Sequence, residues 1–247
     1  MKHFFLILAL SFFSISSLAT ADEEKKENPF SLGLDSDFAY RYLWRGLFYS
    51  DSAVWQPSAC ISRNHLTAGI WANMPLTDET NQGEFNEIDV EISYEYSLGL
   101  LTLNPGLVYY FYPNTSSDTT AEIGLDVFYP VKDFSIGFKQ SVDFDEAHGG
   151  YFVNFYGTYS KEIFKHVNLE ATLGLALASS RWNELYFGIK KAALNHASFE
   201  ASLNWQINKK FYFEPHFQVM VLTHPSLRDL VEHPNPITAG VSFGTQW

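Results

Sequence analysis

Hydrophobic and polar positions alternate along most of the chain after Pro29. The alternation is cleanest in residues 87–96, Glu-Ile-Asp-Val-Glu-Ile-Ser-Tyr-Glu-Tyr, where every even position is apolar or aromatic and every odd position is polar. Successive side chains of a β-strand point to opposite faces, so this pattern predicts strands with one apolar and one polar face. No stretch after Pro29 holds a convincing helical period. The predicted fold class is therefore all-β.

About twelve strands are predicted in this way. The segments that alternate clearly are 30–44, 87–96, 121–127, 134–139, 167–175, 197–205, 211–219 and 237–247. Weaker segments lie at 54–62, 66–72, 101–112 and 150–159. Ten or fourteen strands also fit the pattern, because strand boundaries are the least defined feature of such an assignment.

Two architectures use such strands in opposite ways. A soluble β-sandwich buries the apolar faces, whereas a transmembrane up-and-down barrel turns them to lipid and turns the polar faces to the lumen. The predicted connections alternate in length. Short turns fall near 63–65, 97–100, 130–133, 161–166 and 208–210, and longer loops fall near 45–53, 73–85, 113–119, 143–149, 178–196 and 223–235. Outer-membrane barrels show this asymmetry, with short periplasmic turns and longer external loops.

Aromatic residues at the strand ends favour the barrel as well. Tyr40, Tyr42 and Trp44 end the first predicted strand on its apolar face. Those at the short-turn ends are Tyr94, Tyr96, Tyr129, Trp205, Phe211, Phe213 and Trp247. Rings at both interfaces form the girdles expected of a membrane barrel. An aromatic residue at position 247 is also typical of the last strand of outer-membrane barrels, so we expect an antiparallel transmembrane barrel over residues 30–247.

The first 21 residues have the pattern of a cleavable secretory signal peptide. Lys2 precedes an apolar run, and Ala19-Thr20-Ala21 supplies small residues for cleavage. Serines interrupt the run, which is shorter than the roughly 20 apolar residues of a membrane-spanning helix. Residues 22–29 form a charged lead-in that we expect to be solvated.

Charge excludes some functions and suggests another. Sixteen Lys and Arg against 28 Asp and Glu give a net charge of −12, which argues against nucleic-acid binding. If the polar faces point inward, they bring twelve acids into the lumen, namely Asp35, Asp37, Glu87, Asp89, Glu91, Glu95, Glu122, Asp126, Asp143, Glu170, Glu200 and Glu214. An acidic lining concentrates cations and repels anions.

The predicted pore-lining residues are Asp35, Asp37, Arg41, Glu87, Asp89, Glu91, Glu122, Asp126 and Lys139. We expect the acids to form a negative wall, with Arg41 and Lys139 opposing them across the lumen and Arg45 at the rim. Opposed charges of this kind would orient dipolar solutes such as zwitterions. The sequence therefore favours a porin-like channel for passive diffusion of small cationic, zwitterionic or neutral solutes, located in the bacterial outer membrane.

Two other functions stay open. Small barrels often fill their interiors with side chains, so the protein could be a closed structural barrel that contacts envelope partners through its loops. It could also hydrolyse lipid or lipid A at the outer rim, with Ser141, Asp143, Asp145 and His148 as the group for that chemistry. Nothing orients those residues into a triad, and we predict that the protein is not an enzyme.

Other apparent motifs have simpler explanations. Gly240-Val-Ser242-Phe-Gly244 matches the nucleophile elbow, but that elbow needs a strand-to-helix turn, and Ser242 lies within a predicted strand. None of the eight histidines has a zinc-ligand spacing. We therefore predict no catalytic residues, no metal site and no cofactor. The expected partners are outer-membrane lipid and small solutes, and both monomers and trimers remain open.

Several short motifs resemble the TorF family of porin-type proteins. Ser36-Asp-Phe-Ala-Tyr-Arg-Tyr-Leu-Trp-Arg45-Gly46 is similar to the opening strand of that family, and Gln56-Pro57-Ser58 follows as its Gln-Pro-like segment does. The further motifs are Gly69-Ile-Trp71-Ala-Asn73, Glu87-Ile-Asp89, and Gly106 with Tyr109-Tyr-Phe-Tyr112-Pro113. The resemblance covers roughly residues 30–130, and residues 42–44 are an insertion relative to the family pattern. It implies an outer-membrane barrel of porin type and supplies no site residues.

Overall fold

The computed structural model describes residues 30–77 and 80–247. The predicted signal peptide (1–21) and charged lead-in (22–29) lie outside the described residues. The strands are β1 (Ser31–Ala39), β2 (Tyr42–Trp44), β3 (Leu47–Ser50), β4 (Val54–Arg63), β5 (Leu66–Pro75), β6 (Glu87–Tyr94), β7 (Tyr96–Leu98), β8 (Leu101–Phe111), β9 (Thr120–Val131), β10 (Phe134–Asp143), β11 (Tyr151–Phe164), β12 (Val167–Ala178), β13 (Ala193–Gln206), β14 (Phe211–Leu222) and β15 (Ile237–Gln246). The helices are α1 (Ser180–Phe187) and α2 (Pro225–Arg228).

All strands except β2 and β3 form one closed antiparallel barrel. Each barrel strand pairs with its neighbours in the chain, and β1 closes the ring by pairing with β15 as well as β4. β6 and β7 both pair with β8 and together make a single wall position, interrupted at Glu95. The ring therefore has twelve positions, which confirms the predicted all-β barrel of about twelve strands. Within the described residues, no helix is long and apolar enough to span a membrane.

The two faces of each strand differ in the way that the alternation predicted. On β6, Glu87, Asp89 and Glu91 are buried, whereas Val90 and Ile92 are exposed. Because successive side chains point to opposite faces, the buried acids face the interior of the barrel and the exposed aliphatic residues face outward. An apolar exterior over polar inner positions is the arrangement of a membrane barrel and the reverse of a soluble sandwich.

Aromatic side chains ring the end of the barrel that has the short turns, here called the turn rim. Those exposed there include Tyr94, Tyr96, Tyr129, Trp205, Phe211 and Trp247. The opposite end has the long connections and both helices, and is here called the loop rim. Tyr40 is exposed at the loop rim, as predicted, but Tyr42 and Trp44 are buried and do not belong to an exterior girdle.

The predicted first strand, 30–44, is too long because it contains two elements. β1 ends at Ala39, and β2 and β3 form a separate two-stranded sheet, here called the lumen hairpin (residues 42–50). Its turn has Arg45 at φ 48° and Gly46 at φ 89°, and two residues with positive φ make the tight turn favoured in two-residue hairpins. The insertion of residues 42–44 noted in the sequence is thus the first strand of this hairpin.

The lumen hairpin folds into the barrel rather than away from it. Its Tyr42 and Trp44 belong to one buried apolar cluster with Phe152 of β11, Trp182 of α1 and Leu222 of β14. The hairpin follows β1, and β11 lies five of the twelve wall positions from β1, so contact with Phe152 requires the hairpin to lie across the lumen. The largest apolar core of the described residues therefore sits inside the barrel, at the loop-rim end.

Candidate functional site

The candidate site is the lumen near the loop rim, where the hairpin meets the inward side chains of the barrel. On one side stands the acid file of β6, Glu87, Asp89 and Glu91, at successive inward positions. All three side chains are buried, with 3%, 8% and 8% of their residue surface exposed. Inward residues two apart on a strand are about 6.6 Å apart along its axis, so the file forms a column of carboxylates down the wall.

The two predicted acids of β1 are engaged by hydrogen bonds to β14 and β15. Asp35 accepts a hydrogen bond from the Tyr212 hydroxyl at 2.6 Å. Oδ1 of Asp37 lies 2.7 Å from Nε2 of His216 and accepts a 2.7 Å hydrogen bond from the Ser242 hydroxyl. Both acids therefore lie inside the barrel as predicted, but neighbouring side chains hold each one in place.

Lys139 lies beside an acid rather than opposite one. It pairs in register with Asp126 across β9 and β10, and Asp126 also accepts a 2.8 Å hydrogen bond from the Tyr156 hydroxyl. The prediction that Lys139 opposes the acids across the lumen therefore misses this adjacent acid. Alternation gives the face of a residue, but the identity of its cross-strand partner depends on the register between strands.

Arg41 lies outside the column of acids. It follows β1 in a bend at the loop rim, where its guanidinium forms an ion pair with Asp51 and lies over the rings of Tyr40 and Phe48. The predicted placement of Arg41 across the lumen from the acids is therefore wrong. The predicted strand ran to residue 44, but β1 ends at Ala39, two residues before Arg41, so the chain has already left the strand at this position.

Arg45, which we expected at the rim from the sequence, lies inside the lumen. Its two terminal nitrogens donate to the two carboxylate oxygens of Glu122, both at 2.7 Å, and the Glu122 side chain is completely buried. Burial alone would lower the pKa of Arg45, but the carboxylate of Glu122 outweighs burial and raises that pKa above its ordinary value. The pair is therefore a charged, bidentate bridge from the hairpin tip to β9.

Aromatic rings enclose this ion pair. The Arg45 guanidinium lies 4.3 Å from the ring centre of Trp44 and 4.6 Å from that of Phe152. The Tyr110 hydroxyl donates to Glu122 at 3.1 Å. Trp182 of α1 packs on Trp44, with ring centres 5.9 Å apart. The ring faces shield the ion pair from water, which strengthens the electrostatic interaction.

The other end of the hairpin tip rests on the wall formed by β13 and β14. The Gly46 amide lies 3.1 Å from Sδ of Met220, and a Cβ atom at Gly46 would come within 2.8 Å of Leu222 and 3.1 Å of Asn195. The tip thus reaches β13 and β14 on one side and β9 on the other. The hairpin therefore fills part of the lumen at this level, and the crossing is here called the constriction.

A small cavity lies against the constriction. Its volume is about 50 Å³, and its lining consists of Leu43, Trp44, Arg45, Lys139, Gln140, Ser141, Phe152, Asn154, His196 and Met220. The lining contains two cations and no acid, unlike the rest of the inner surface. This side of the lumen therefore differs in charge from the β6 side.

The residues considered for hydrolysis do not assemble into a triad. The Asp143 carboxylate accepts hydrogen bonds from Thr120 and from the backbone amides of Asp145 and Ala147. It therefore stabilises the loop that follows β10. Nδ1 of His148 lies 3.0 Å from the carbonyl oxygen of Phe144. Ser242 does contact an acid, but it shares Oδ1 of Asp37 with His216, and no imidazole is placed to take the proton of the serine. The described residues also include no cluster of three potential metal ligands.

Comparison with known proteins identifies the fold. No family model matches the chain, and no curated protein matches it. Among solved structures, the NanC porin aligns with a TM-score of 0.54 and 16% identity over 87% of this chain and 98% of its own. The KdgM porin aligns with a TM-score of 0.53 and 13% identity over the same shares. An outer-membrane channel from Pseudomonas putida F1 has a TM-score of 0.52 and 8% identity over 92% of this chain and 99% of its own.

These structures are bacterial outer-membrane porins and channels, and the present chain has their fold. Identities this low show the fold alone. The closed barrel and its apolar exterior agree with the outer-membrane location predicted from the sequence.

Proposed function

We propose that the protein is a porin-like channel for passive diffusion of small cationic, zwitterionic or neutral solutes across the bacterial outer membrane. The observation that supports it is the position of the acids in a closed barrel. Inward acids on the barrel strands are Asp35, Asp37, Glu87, Asp89, Glu91, Glu122, Asp126, Asp143, Glu170, Glu200 and Glu214, against Lys139 on the strands and Arg45 on the hairpin. A low-dielectric wall focuses the field of these charges into the lumen and favours cations there.

The excess of acids bears on whether this channel would take the ligand of one structural neighbour. One structure of the KdgM porin, which aligns here with a TM-score of 0.50 and 12% identity, is a complex with disordered oligogalacturonate. That ligand is a polyanion, and an inner surface dominated by carboxylates would repel it. The shared fold is therefore proposed to serve solutes of a different charge in this protein.

We further propose that the chain is related to the TorF porins, in keeping with the order of its short motifs. The motif Ser36 to Gly46 contains the end of β1 and the first half of the lumen hairpin. Equivalent hairpins in TorF proteins would support the relationship, and a TorF structure in which this segment stays outside the barrel would contradict it.

A closed structural barrel is the second candidate, and the constriction favours it. The hairpin crosses the lumen, and its Trp44 and the adjacent Trp182 of α1 have only 4% and 0% of their surface exposed. A barrel filled in this way passes no solute unless the hairpin leaves room beside it. The two candidates therefore predict opposite electrical behaviour.

Planar-bilayer recording of the purified protein tests the channel. We expect stepwise currents in KCl and, in a salt gradient, a reversal potential that shows preference for K⁺ over Cl⁻. A silent bilayer, with the barrel correctly folded, would establish the closed structure instead.

The acid file is tested by the paired substitution Asp89→Asn and Glu91→Gln. Removing two lumen carboxylates weakens the negative potential, so we expect the ratio of K⁺ to Cl⁻ permeability to fall at least twofold at low salt. The control is Glu146→Gln, which removes an exposed acid from a loop at the loop rim. Unchanged selectivity in the paired variant would remove these acids from the mechanism.

A further inference from the structure

The constriction has walls of unlike charge on its two sides. In the ring of twelve wall positions, β10 with Lys139 lies three places from β6, and β13 with His196 lies six places from it. β6 carries the acid file, whereas the cavity is lined by β10, β11, β13, β14 and the hairpin tip. All these groups lie in the part of the strands nearest the loop rim. A solute that passes here has carboxylates on one side and the cavity on the other.

The cavity offers hydrogen-bond donors and positive charge. Lys139 lines it, together with the neutral side chains of Ser141, Asn154 and His196. Arg45 also lines it, but both of its terminal nitrogens already donate to Glu122, so Lys139 is the cation that would meet a carboxylate in the cavity. Glu122 and Asp126, the acids adjacent to the two cations, do not line the cavity. These groups suit a carboxylate, which accepts hydrogen bonds and carries a negative charge.

The acid file offers the complementary feature. Asp89 is more than nine-tenths buried, and its Oδ1 atom has no hydrogen-bond partner among the described residues. A buried carboxylate oxygen without a donor is unfavourable, and an ammonium group would satisfy it. Glu87 and Glu91, one inward position to either side, add to the negative charge at this point.

We propose that the constriction binds zwitterionic solutes, with the carboxylate of the solute in the cavity and its ammonium group against Asp89. This rests on the proposed channel function and assigns the solute class to the same site. The volume of about 50 Å³ equals the space of about four water molecules, so it admits a carboxylate group and leaves the rest of the solute in the lumen. Two-point binding also orients the solute along the transverse field.

Matched probes test the proposal in the conducting channel. 6-Aminohexanoate carries both charges, hexylamine carries only the ammonium group, and hexanoate carries only the carboxylate. We expect 6-aminohexanoate to interrupt the KCl current at concentrations about tenfold below those needed for either single-charge probe, because each charge-assisted contact adds to the affinity. Glycine and 4-aminobutanoate, tested in the same way, report the spacing of the two contacts.

Variants assign each end of the solute. Lys139→Gln should reduce block by 6-aminohexanoate about tenfold and leave block by hexylamine unchanged. Asp89→Asn should reduce block by both of these probes. Lys161→Gln, an exposed lysine near the turn rim, is the matched control and should change neither. Folding of each variant is checked by the different gel mobility of heated and unheated barrels.

The outcomes separate this proposal from the channel itself. If the channel conducts with cation preference but hexylamine blocks as well as 6-aminohexanoate, the zwitterion site is wrong and the channel function stands. Loss of block in the Lys161→Gln control would also overturn the site. If folded protein never conducts, both proposals fail together.

Discussion

Arg45 and Glu122 form a buried ion pair that joins the hairpin tip to the barrel wall. Removing one partner of such a pair leaves the other charge buried without compensation, at a cost of about 3–5 kcal/mol. The sheet of the hairpin has only two short strands, so its position in the lumen depends on its contacts with the wall, of which this pair is the charged one on the β9 side. When Glu122 loses its charge, the lowest-energy arrangement is therefore one in which the hairpin moves out of the lumen and Arg45 is hydrated.

Glu122→Gln should accordingly widen the constriction. We expect the single-channel conductance to rise at least twofold and to fluctuate more, while the barrel stays folded because its strand pairing is untouched. Single-channel recording and circular dichroism measure the two effects. The double variant Arg45→Gln with Glu122→Gln replaces the ions by amides that still hydrogen-bond, and should return the conductance toward that of the unchanged protein. Equal conductance in all three proteins would show that the ion pair does not hold the constriction.

The position of Arg45 also marks a limit of the sequence analysis at this scale. Alternation places strand residues such as Asp35, Asp89 and Asp126 on the inner face, and the structure agrees. It contains no information on whether a loop folds inward, so Arg45 was expected at the rim. The positive charge next to Gly46 and the aromatic residues Tyr42 and Trp44 are the sequence features that could have indicated a buried hairpin.

The lumen hairpin is the element that distinguishes this barrel from an empty one. Its turn depends on Gly46, whose φ of 89° favours glycine. A Cβ atom at this position would lie against Leu222 and Asn195. Any side chain at this position would strain the backbone, because φ is positive, and would collide with Leu222 and Asn195. The hairpin is therefore sensitive to a single methyl group at its tip.

Gly46→Ala should displace the hairpin and increase conductance. Alanine at positive φ costs about 1–3 kcal/mol, and its Cβ would meet Leu222 at 2.8 Å. Gly83→Ala is the matched control, because Gly83 has a similar φ of 79° but no atom within 4 Å of the added Cβ. Both variants are compared by single-channel conductance. A similar increase in both would attribute the effect to backbone strain in general rather than to the crowded hairpin tip.

At the scale of elements, the sequence predicted the barrel strands, including those with weak alternation, but not the hairpin or the helices between them. The segments 54–62 and 101–112 gave weak patterns, yet they form β4 and β8 because neighbouring strands supply their hydrogen bonds. The long loop 178–196 contains α1, whose Trp182 and Phe187 are buried by contact with the hairpin and barrel. Such packing is set by residues distant in sequence, which no local pattern reports.

The whole molecule is a lipid-facing cylinder whose stability depends on an apolar exterior. Leu173, in the middle of β12, is 65% exposed on the outward face. A cation placed near the midplane of a bilayer on such a face costs about 2–4 kcal/mol.

Leu173→Arg should therefore lower the free energy of unfolding in phospholipid vesicles by about 2–4 kcal/mol. Urea or guanidinium titration of the vesicle-bound protein measures this loss. Leu230→Arg is the control, because Leu230 is similarly exposed at 53% but lies in the long loop between β14 and β15. Equal effects of the two substitutions would contradict a membrane-embedded exterior at β12.

The contact between Gly46 and Met220 joins residues 174 positions apart in the chain. The hairpin is made early in the sequence, but the surface that receives its tip comes from the last strands. Contacts with so large a separation form late, since the intervening chain must be ordered first. A newly inserted barrel is thus expected to have a higher conductance until its last strands have paired. Its conductance should then fall as the hairpin tip binds β14, without the help of another protein.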